Sequence, residues 1–143
     1  MLISTKGRYA LRVLIDMAEH QNQGYVTLKE IAARQGISEK YLEIIVKVLV
    51  KNGFMVGVRG KGGGYRLSVS PDECTAADIL MLTEGTLAPV ACLEHGEQYC
   101  ENAPECRTLP LWKGLNETIQ NYLKQFTIAD LVHRDADAPN YVI

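Results

Sequence analysis

The 143-residue sequence contains 47% hydrophobic and 22% charged residues and has a formal net charge of −2. A chain of this length is expected to form one domain with an ordinary hydrophobic core that needs no disulfide bonds. No segment approaches the roughly 18 apolar residues of a membrane span, and Asp16 and Glu19 interrupt the apolar run behind the basic N-terminus. We therefore predict neither a membrane span nor a signal peptide, and we expect a cytoplasmic protein with reduced thiols.

The net charge conceals two halves of opposite sign. Residues 1–66 contain eleven Lys or Arg against five Asp or Glu, a formal +6, whereas residues 67–143 contain four against twelve, a formal −8. A basic half is suited to nucleic-acid phosphates. The acidic half contains three closely spaced cysteines, which indicates a different task.

Two helices are predicted first along the chain. Apolar residues at steps of three and four predict a helix over about 5–21. Thr27 and Glu30 form a capping-box pair, which predicts a second helix over 28–35 that ends at Gly36.

Ser38 is predicted to cap a third helix. Helical spacing directs Leu42, Ile45, Val46 and Leu49 toward the core. It leaves Ser38, Glu39, Lys40, Glu43 and Lys47 on the outside, with Tyr41 at the boundary. Two short helices joined by a glycine-containing turn predict a helix-turn-helix.

A two-stranded wing is predicted after this motif. Strand-like residues at 54–59 and 65–67 flank the glycine-rich turn at 60–64. Thr75 and Asp78 then predict another capped helix, which Gly85 ends.

The predicted fold class is mainly α, a winged helix-turn-helix with a two-stranded wing and a long C-terminal helix. We divide the chain into a DNA-binding region at 1–70, a connecting helix with a cysteine loop at 71–106, a dimerisation helix at 107–133 and a flexible tail at 134–143. The apolar stripe of the last helix follows steps of three and four. Such a stripe favours a seam between two copies over ordinary core packing.

The third helix and the wing are candidates for contact with double-stranded DNA. A helix in the major groove needs polar side chains for base edges and cations for phosphates, and an arginine on a wing can enter a narrow minor groove. The candidate residues are Ser38, Glu39, Lys40, Tyr41, Glu43, Lys47, Arg59 and Lys61. Solvated charge, or binding of a protein by the winged helix, is the alternative, and the +6 charge favours DNA.

Three cysteines, Cys92, Cys100 and Cys106, follow the spacing C-x7-C-x5-C. Three thiolates on one loop can hold an iron–sulfur cluster or a tetrahedral metal such as zinc, or they can act as redox-sensing thiols. Cys74 lies outside this spacing, and we expect it to be a buried, small apolar residue.

Catalysis is not expected. The turn at 60–64 lacks the last glycine of a dinucleotide-binding fingerprint, because Tyr65 occupies that position. The sequence also lacks the nucleophile and zinc motifs of hydrolases.

Three segments resemble the IscR-type family of bacterial winged-helix regulators. They are L-I-S-T-K-G-R-Y-A-L-R at 2–12, Q-G-I-S-E-K-Y-L at 35–42 and K-N-G-F-M-V-G-V-R-G-K-G-G-G-Y-R-L at 51–67. The resemblance implies transcription control by a homodimer that is crossed through the C-terminal helix and bound to a pseudo-palindromic operator. It implies base contacts from 38–43 and minor-groove entry by Arg59. Lys40 and Ile44 depart from the smaller or polar residues expected at these positions in the iron–sulfur assembly regulator.

The resemblance also implies an iron–sulfur cluster, [4Fe-4S] or [2Fe-2S], held by Cys92, Cys100 and Cys106 with a variable fourth ligand. This chain has Leu109 where the assembly regulator has a ligand histidine, and Arg8 where a nitric-oxide-sensing relative has an acidic ligand. The fourth ligand is therefore not carried over. The local candidates are His95, Glu94, Glu97, Glu101 and Glu105. The same DNA-binding frame without a cluster, sensing through thiol oxidation, zinc or a protein partner, remains the alternative.

Overall fold

The computed structural model describes residues 2–95 and 100–133 and is mainly helical. Its elements in chain order are α1 (Thr5–Glu19), α2 (Leu28–Gln35), α3 (Glu39–Lys51), β1 (Met55–Val58), β2 (Gly64–Leu67), α4 (Ala76–Glu84), α5 (Leu109–Lys124) and α6 (Ile128–Val132). Short 3-10 turns lie at Gln21–Gln23, Ala91–Leu93 and Ala103–Glu105. The predicted winged helix-turn-helix is confirmed. No helix in the described part of the chain is long and apolar enough to cross a membrane.

Side-chain caps fix where the helices begin. Thr27 and Thr75 both form the capping boxes expected from the sequence, with Glu30 and Asp78 as their partners. Ser38 accepts a hydrogen bond from the backbone N–H of Tyr41, as expected for the start of α3. These bonds satisfy N–H groups that a helix start otherwise leaves without partners.

The core lies between α1 and the elements that surround it. Val13, Leu14 and Met17 on α1 are fully buried, and α2, α3, α4, α6 and β2 pack around this helix. The inward residues predicted for α3, which are Leu42, Ile45, Val46 and Leu49, are all buried. The helical spacing therefore identified the core face of both helices.

The wing is an antiparallel hairpin in which Met55 pairs with Leu67 and Val58 pairs with Gly64. Its base is tied to the α1–α2 connection, because Val26 and Tyr65 exchange backbone hydrogen bonds of 2.8 and 2.7 Å. This close approach requires a glycine at position 64. The φ of Gly64 is 144°, and a Cβ atom there would lie 2.6 Å from the carbonyl oxygen of Val26.

The predicted helix at 107–133 is divided in two in the structure, which corrects its extent. The first part ends at Lys124, and Thr127 forms a new capping box with Asp130 that begins α6. The short segment before α6 pairs with the segment before α4, and the backbone N–H of Ile128 donates to the Cys74 carbonyl at 2.8 Å. The tail expected at 134–143 lies outside the described residues.

A buried carboxylate joins α1 to α2. Asp16 is the only buried charged side chain among the described residues, with 1% exposure. Arg34 donates to both of its oxygens, at 2.9 and 2.7 Å, and the Gln35 amide donates at 2.9 Å. Burial alone would raise the pKa of Asp16, but the hydrogen bonds from Arg34 and Gln35 and the charge of Arg34 outweigh it, so the pKa is lowered. We call these three residues the Asp16 cluster.

The Asp16 cluster predicts a large stability loss when Arg34 is removed. Arg34→Ala leaves a buried carboxylate without its cation, and the Arg34 side chain is 30% exposed. We therefore expect a loss at pH 7 below the full value for a buried pair, about 2–3 kcal/mol in the free energy of unfolding. Urea unfolding followed by circular dichroism measures it.

Lys29→Ala is the matched control, since Lys29 is an exposed cation on the same helix, and we expect a change below about 0.5 kcal/mol in the free energy of unfolding.

The pH dependence of this stabilisation has a defined sign. Because the pKa of Asp16 is lowered in the folded state, its contribution is present above the ordinary value of 3.8 and is lost as pH falls below it. A difference between the wild type and Arg34→Ala that persists undiminished in acid would contradict the assignment.

Candidate functional site

The outer side of α3 presents the polar residues predicted for the site. Glu39, Lys40, Glu43 and Lys47 are exposed, and Tyr41 is half-buried at the boundary. Ser38 is exposed as well, but its oxygen accepts the capping hydrogen bond from the Tyr41 backbone at 3.2 Å. Ser38 can therefore donate a hydrogen bond to a ligand while it still caps the helix.

Aromatic and cationic contacts hold the beginning of α3 against α1. The Tyr41 ring meets the Tyr9 ring edge to face, with the ring centres 5.8 Å apart. The Arg12 guanidinium lies 5.0 Å from the centre of the Tyr9 ring and donates to the side chain and the carbonyl oxygen of Gln35. Gln35 also belongs to the Asp16 cluster. The contacts that hold the start of α3 are therefore connected, through Gln35, to those that hold the end of α2.

An open groove of about 540 Å³ separates α3 from the wing. Glu43 and Lys47 line it from the helix, and Arg59 lines it from the wing. The structure therefore brings together three candidate residues that lie up to 16 positions apart in the sequence. Apolar side chains, among them Ile44 and Val58, line the same groove.

Lys61 occupies the exposed turn of the wing and is not among the residues that line the groove. Gly60 and Gly62 on either side of it have φ angles of 101° and 79°, which a residue with a Cβ atom rarely adopts. Arg59 and Lys61 are both exposed, so the wing presents two cations to solvent. The wing can therefore place two positive charges against an anionic ligand.

Ile44, which was not among the predicted site residues, lies on the same side of α3 as Lys40 and Lys47. Its side chain is 51% exposed. Its spacing could have identified it as a site residue. Ile44 follows Lys40 by four positions and precedes Lys47 by three, and these spacings place all three on one helical face.

The three loop cysteines lie on residues 86–108, which we call the cysteine segment. Cys92 lies in the turn Ala91–Leu93, and Cys106 directly follows the turn Ala103–Glu105. Cys92, Cys100 and Cys106 are half-buried, and none of the four cysteines, all of which the structure describes, forms a disulfide. Cys74 is buried, as expected, and burial raises the pKa of its thiol to about 11.

Cys106 has the environment of a reactive thiol. Its sulfur lies 3.5 Å from the Thr108 hydroxyl oxygen. Hydrogen bonds from the side chain and backbone of Thr108, with a smaller one from the backbone of Leu109, lower the pKa of the thiol. Because α5 begins at Leu109, these backbone groups belong to a helix start, which stabilises a thiolate. A thiolate is the form that binds metal.

The donor chemistry of the cysteine segment fits an iron–sulfur cluster, since three thiols that form no disulfide and are partly accessible lie on one segment, and the pKa of one of them is lowered. The described residues do not contain a group of three or more His, Cys, Asp or Glu side chains close enough to hold a metal ion. Of the candidate fourth ligands, Glu94, His95, Glu101 and Glu105 therefore form no such group, and Glu97 lies outside the described residues.

Comparison with known families and sequences agrees with this architecture. A model of the Rrf2 family, described as iron-dependent transcriptional regulators, matches residues 3–134. The HTH-type transcriptional regulator IscR of Aliivibrio salmonicida is 36% identical over 132 residues, which cover 92% of this chain and 77% of that protein. Regulators, and not enzymes, are thus the named relatives, which confirms the expectation drawn from the missing catalytic motifs.

Solved structures show the same fold. CymR, the global cysteine regulator of B. subtilis, is 36% identical with a TM-score of 0.77, over 94% of this chain and 99% of that chain. IscR of T. potens is 35% identical with a TM-score of 0.73, over 92% of this chain and 86% of that chain. The resemblance to IscR-type regulators is therefore confirmed, and this chain belongs to the Rrf2 family of transcriptional regulators.

Proposed function

We propose that this transcriptional regulator binds a pseudo-palindromic DNA operator as a homodimer and that an iron–sulfur cluster on Cys92, Cys100 and Cys106 controls the binding. The observation that carries the DNA-binding part is the groove in which Glu43, Lys47 and Arg59 meet. An exposed helix face beside an exposed, arginine-bearing wing matches the two grooves of duplex DNA.

Each element has a distinct task in this proposal. The first two turns of α3 enter the major groove, where Ser38, Lys40 and Glu43 reach base edges. Lys47 and Lys61 contact phosphates, which supply affinity without sequence information. Arg59 enters the minor groove beside the wing. Glu39 and Tyr41 flank the base-contacting positions, and the contact between Tyr41 and Tyr9 keeps α3 at a fixed angle.

The first prediction concerns affinity and salt. We expect duplexes selected from a random library to bind with an affinity that falls steeply as the salt concentration rises, because bound counterions are released from the phosphates. Arg59→Ala should weaken binding about tenfold. Fluorescence anisotropy across a salt series measures both. Lys124→Ala removes an exposed cation at the end of α5 and should leave the affinity unchanged. Binding that is indifferent to salt would contradict the electrostatic basis.

The homodimer is proposed to form through α5. Leu111, Leu115 and Tyr122 on this helix are 61%, 40% and 52% exposed, and within the described chain no α5 residue is buried. The Tyr122 ring packs edge to face on Phe126, with the ring centres 5.1 Å apart, which widens the apolar stripe. A stripe of this size on a 16-residue helix gains most free energy by packing against a second copy of itself.

The second prediction therefore concerns the oligomeric state. We expect a dimer in light scattering even without metal, and a monomer of unchanged helix content for the double variant Leu111→Glu, Leu115→Glu, because four charges would enter the seam. Glu117→Lys provides the control, since Glu117 follows Leu115 by two residues and helical geometry therefore places it on the opposite side of α5. A wild-type chain that is monomeric without metal would contradict the α5 interface.

The cluster is proposed on the chemistry of the cysteine segment and on the family description. The three thiols of Cys92, Cys100 and Cys106 would hold it, and the hydrogen bonds from Thr108 that lower the pKa of Cys106 favour its thiolate form. When bound, the cluster supplies a redox-active centre whose loss or change of charge can rearrange the segment. The neighbouring Glu101 and Glu105 add negative charge around these thiols.

The third prediction concerns the visible chromophore. Protein purified without oxygen should absorb in the visible range and contain iron and sulfide in stoichiometric amounts. Cys92→Ala, Cys100→Ala and Cys106→Ala should each abolish this absorption, because a cluster needs all three thiolates. Cys74→Ala is the control and should retain it, since Cys74 is buried in the core away from the segment. A chromophore that survives any one of the first three changes would remove that ligand.

Thiol sensing is the second candidate, and the environment of Cys106 favours it. A thiol with a lowered pKa is the one that oxidants attack first. CymR, the structural neighbour described above, is named as a cysteine regulator. Colourless protein that resists reconstitution with iron and sulfide, and whose DNA affinity falls after peroxide treatment in the wild type but not in Cys106→Ala, would replace the cluster by this mechanism.

A further inference from the structure

Ile44 stands at the centre of the charged outer face of α3. Its side chain is 51% exposed, whereas its chain neighbours Ile45 and Val46 are buried in the core. Lys40 precedes it by four residues and Lys47 follows it by three, so all three side chains emerge from one face. Ile44 is therefore not part of the hydrophobic core, and about half of its side chain is open to a ligand.

The residues that line the groove beside Ile44 indicate which class of ligand fits it. Glu43 and Lys47 from α3 and Arg59 from the wing line this groove together with Ile44. Cations on both sides favour a polyanion. Along the major groove of duplex DNA, the apolar group on a base edge is the C5-methyl of thymine, and apolar side chains long enough to reach it contact it.

We propose that Ile44 contacts the C5-methyl group of one thymine in each operator half-site, and that it thereby sets the base preference at that position. This inference rests on the proposed DNA binding and adds to it a base identity. On the same face, Lys47 holds a phosphate of the DNA backbone and Lys40 reaches a neighbouring base edge. The apolar contact replaces water on both surfaces, so its free energy comes from burial and not from hydrogen bonding.

Replacement of thymine by uracil tests the contact, because uracil lacks only the methyl group. Duplexes are first selected from a random library with the full-length protein, and each thymine of the selected site is then replaced by uracil in turn. At one position per half-site, we expect the wild-type affinity to fall about fourfold, the value for one buried methyl group. At the other positions the affinity should remain unchanged.

Variants of Ile44 assign this loss to the side chain. In Ile44→Ala, the uracil duplex and the thymine duplex should bind equally well. In Ile44→Gln, a new selection should return adenine in place of thymine at that position, because the glutamine amide pairs with two atoms of adenine. Met81→Ala removes an exposed apolar residue of α4 that does not line this groove, and it should leave the uracil penalty at its wild-type size.

The possible failures are distinguishable. If selected duplexes bind with the expected salt dependence but no uracil substitution weakens the wild type, the role of Ile44 is overturned while DNA binding stands. The same holds if Ile44→Ala retains the uracil penalty. If no duplex binds the wild type, both the inference and the proposed function are overturned, and an apolar segment of a protein partner becomes the ligand to seek for this surface.

Discussion

The orientation of α3 depends on a charged group inside the protein. Asp16 lies in α1 within the core, and its carboxylate accepts three hydrogen bonds from Arg34 and Gln35 at the end of α2. Gln35 is in turn held by Arg12, whose guanidinium lies over Tyr9, and Tyr9 contacts Tyr41 at the start of α3. An apolar contact between α1 and α2 would allow sliding, whereas a buried carboxylate with directed partners permits one arrangement. The orientation of α3 relative to α1 thus depends on a residue of α1.

The beginning of α1 is bonded to the end of α4, just before the cysteine segment. Glu84, the last residue of α4, accepts hydrogen bonds from the backbone N–H and the hydroxyl of Ser4 at 3.0 and 2.6 Å. The cysteine segment begins two residues later and ends where α5 starts. Movement of the segment that displaces the end of α4 therefore has to break these bonds or shift the beginning of α1. Because α1 also holds the Asp16 cluster, one helix is bonded at its start to the end of α4, next to the cysteine segment, and further along to the support of α3.

Local signals in the sequence were sufficient for most of the fold, because caps and helical spacing act within a few residues. Thr27, Ser38 and Thr75 began their helices as expected. The break before α6 was missed because the apolar spacing continues through Phe126, although Thr127 and Asp130 form a capping pair of the same kind. The Asp16 cluster and the groove beside Arg59 could not be predicted, since each joins residues from different elements. The lowered pKa of Cys106 likewise depends on where α5 begins.

The attachment of α6 affects the order in which the chain can fold. Ile128 is buried against the core, Val132 packs on it, and α6 lies against α1. The two helices stand at opposite ends of the described chain, so their contact closes a long loop and cannot form until residues 128–132 have been synthesised. During synthesis, the ribosome releases the whole cysteine segment before residues 128–132 emerge. The three cysteines are therefore already available to the cell's metal and thiol chemistry while the packing around α1 is still incomplete.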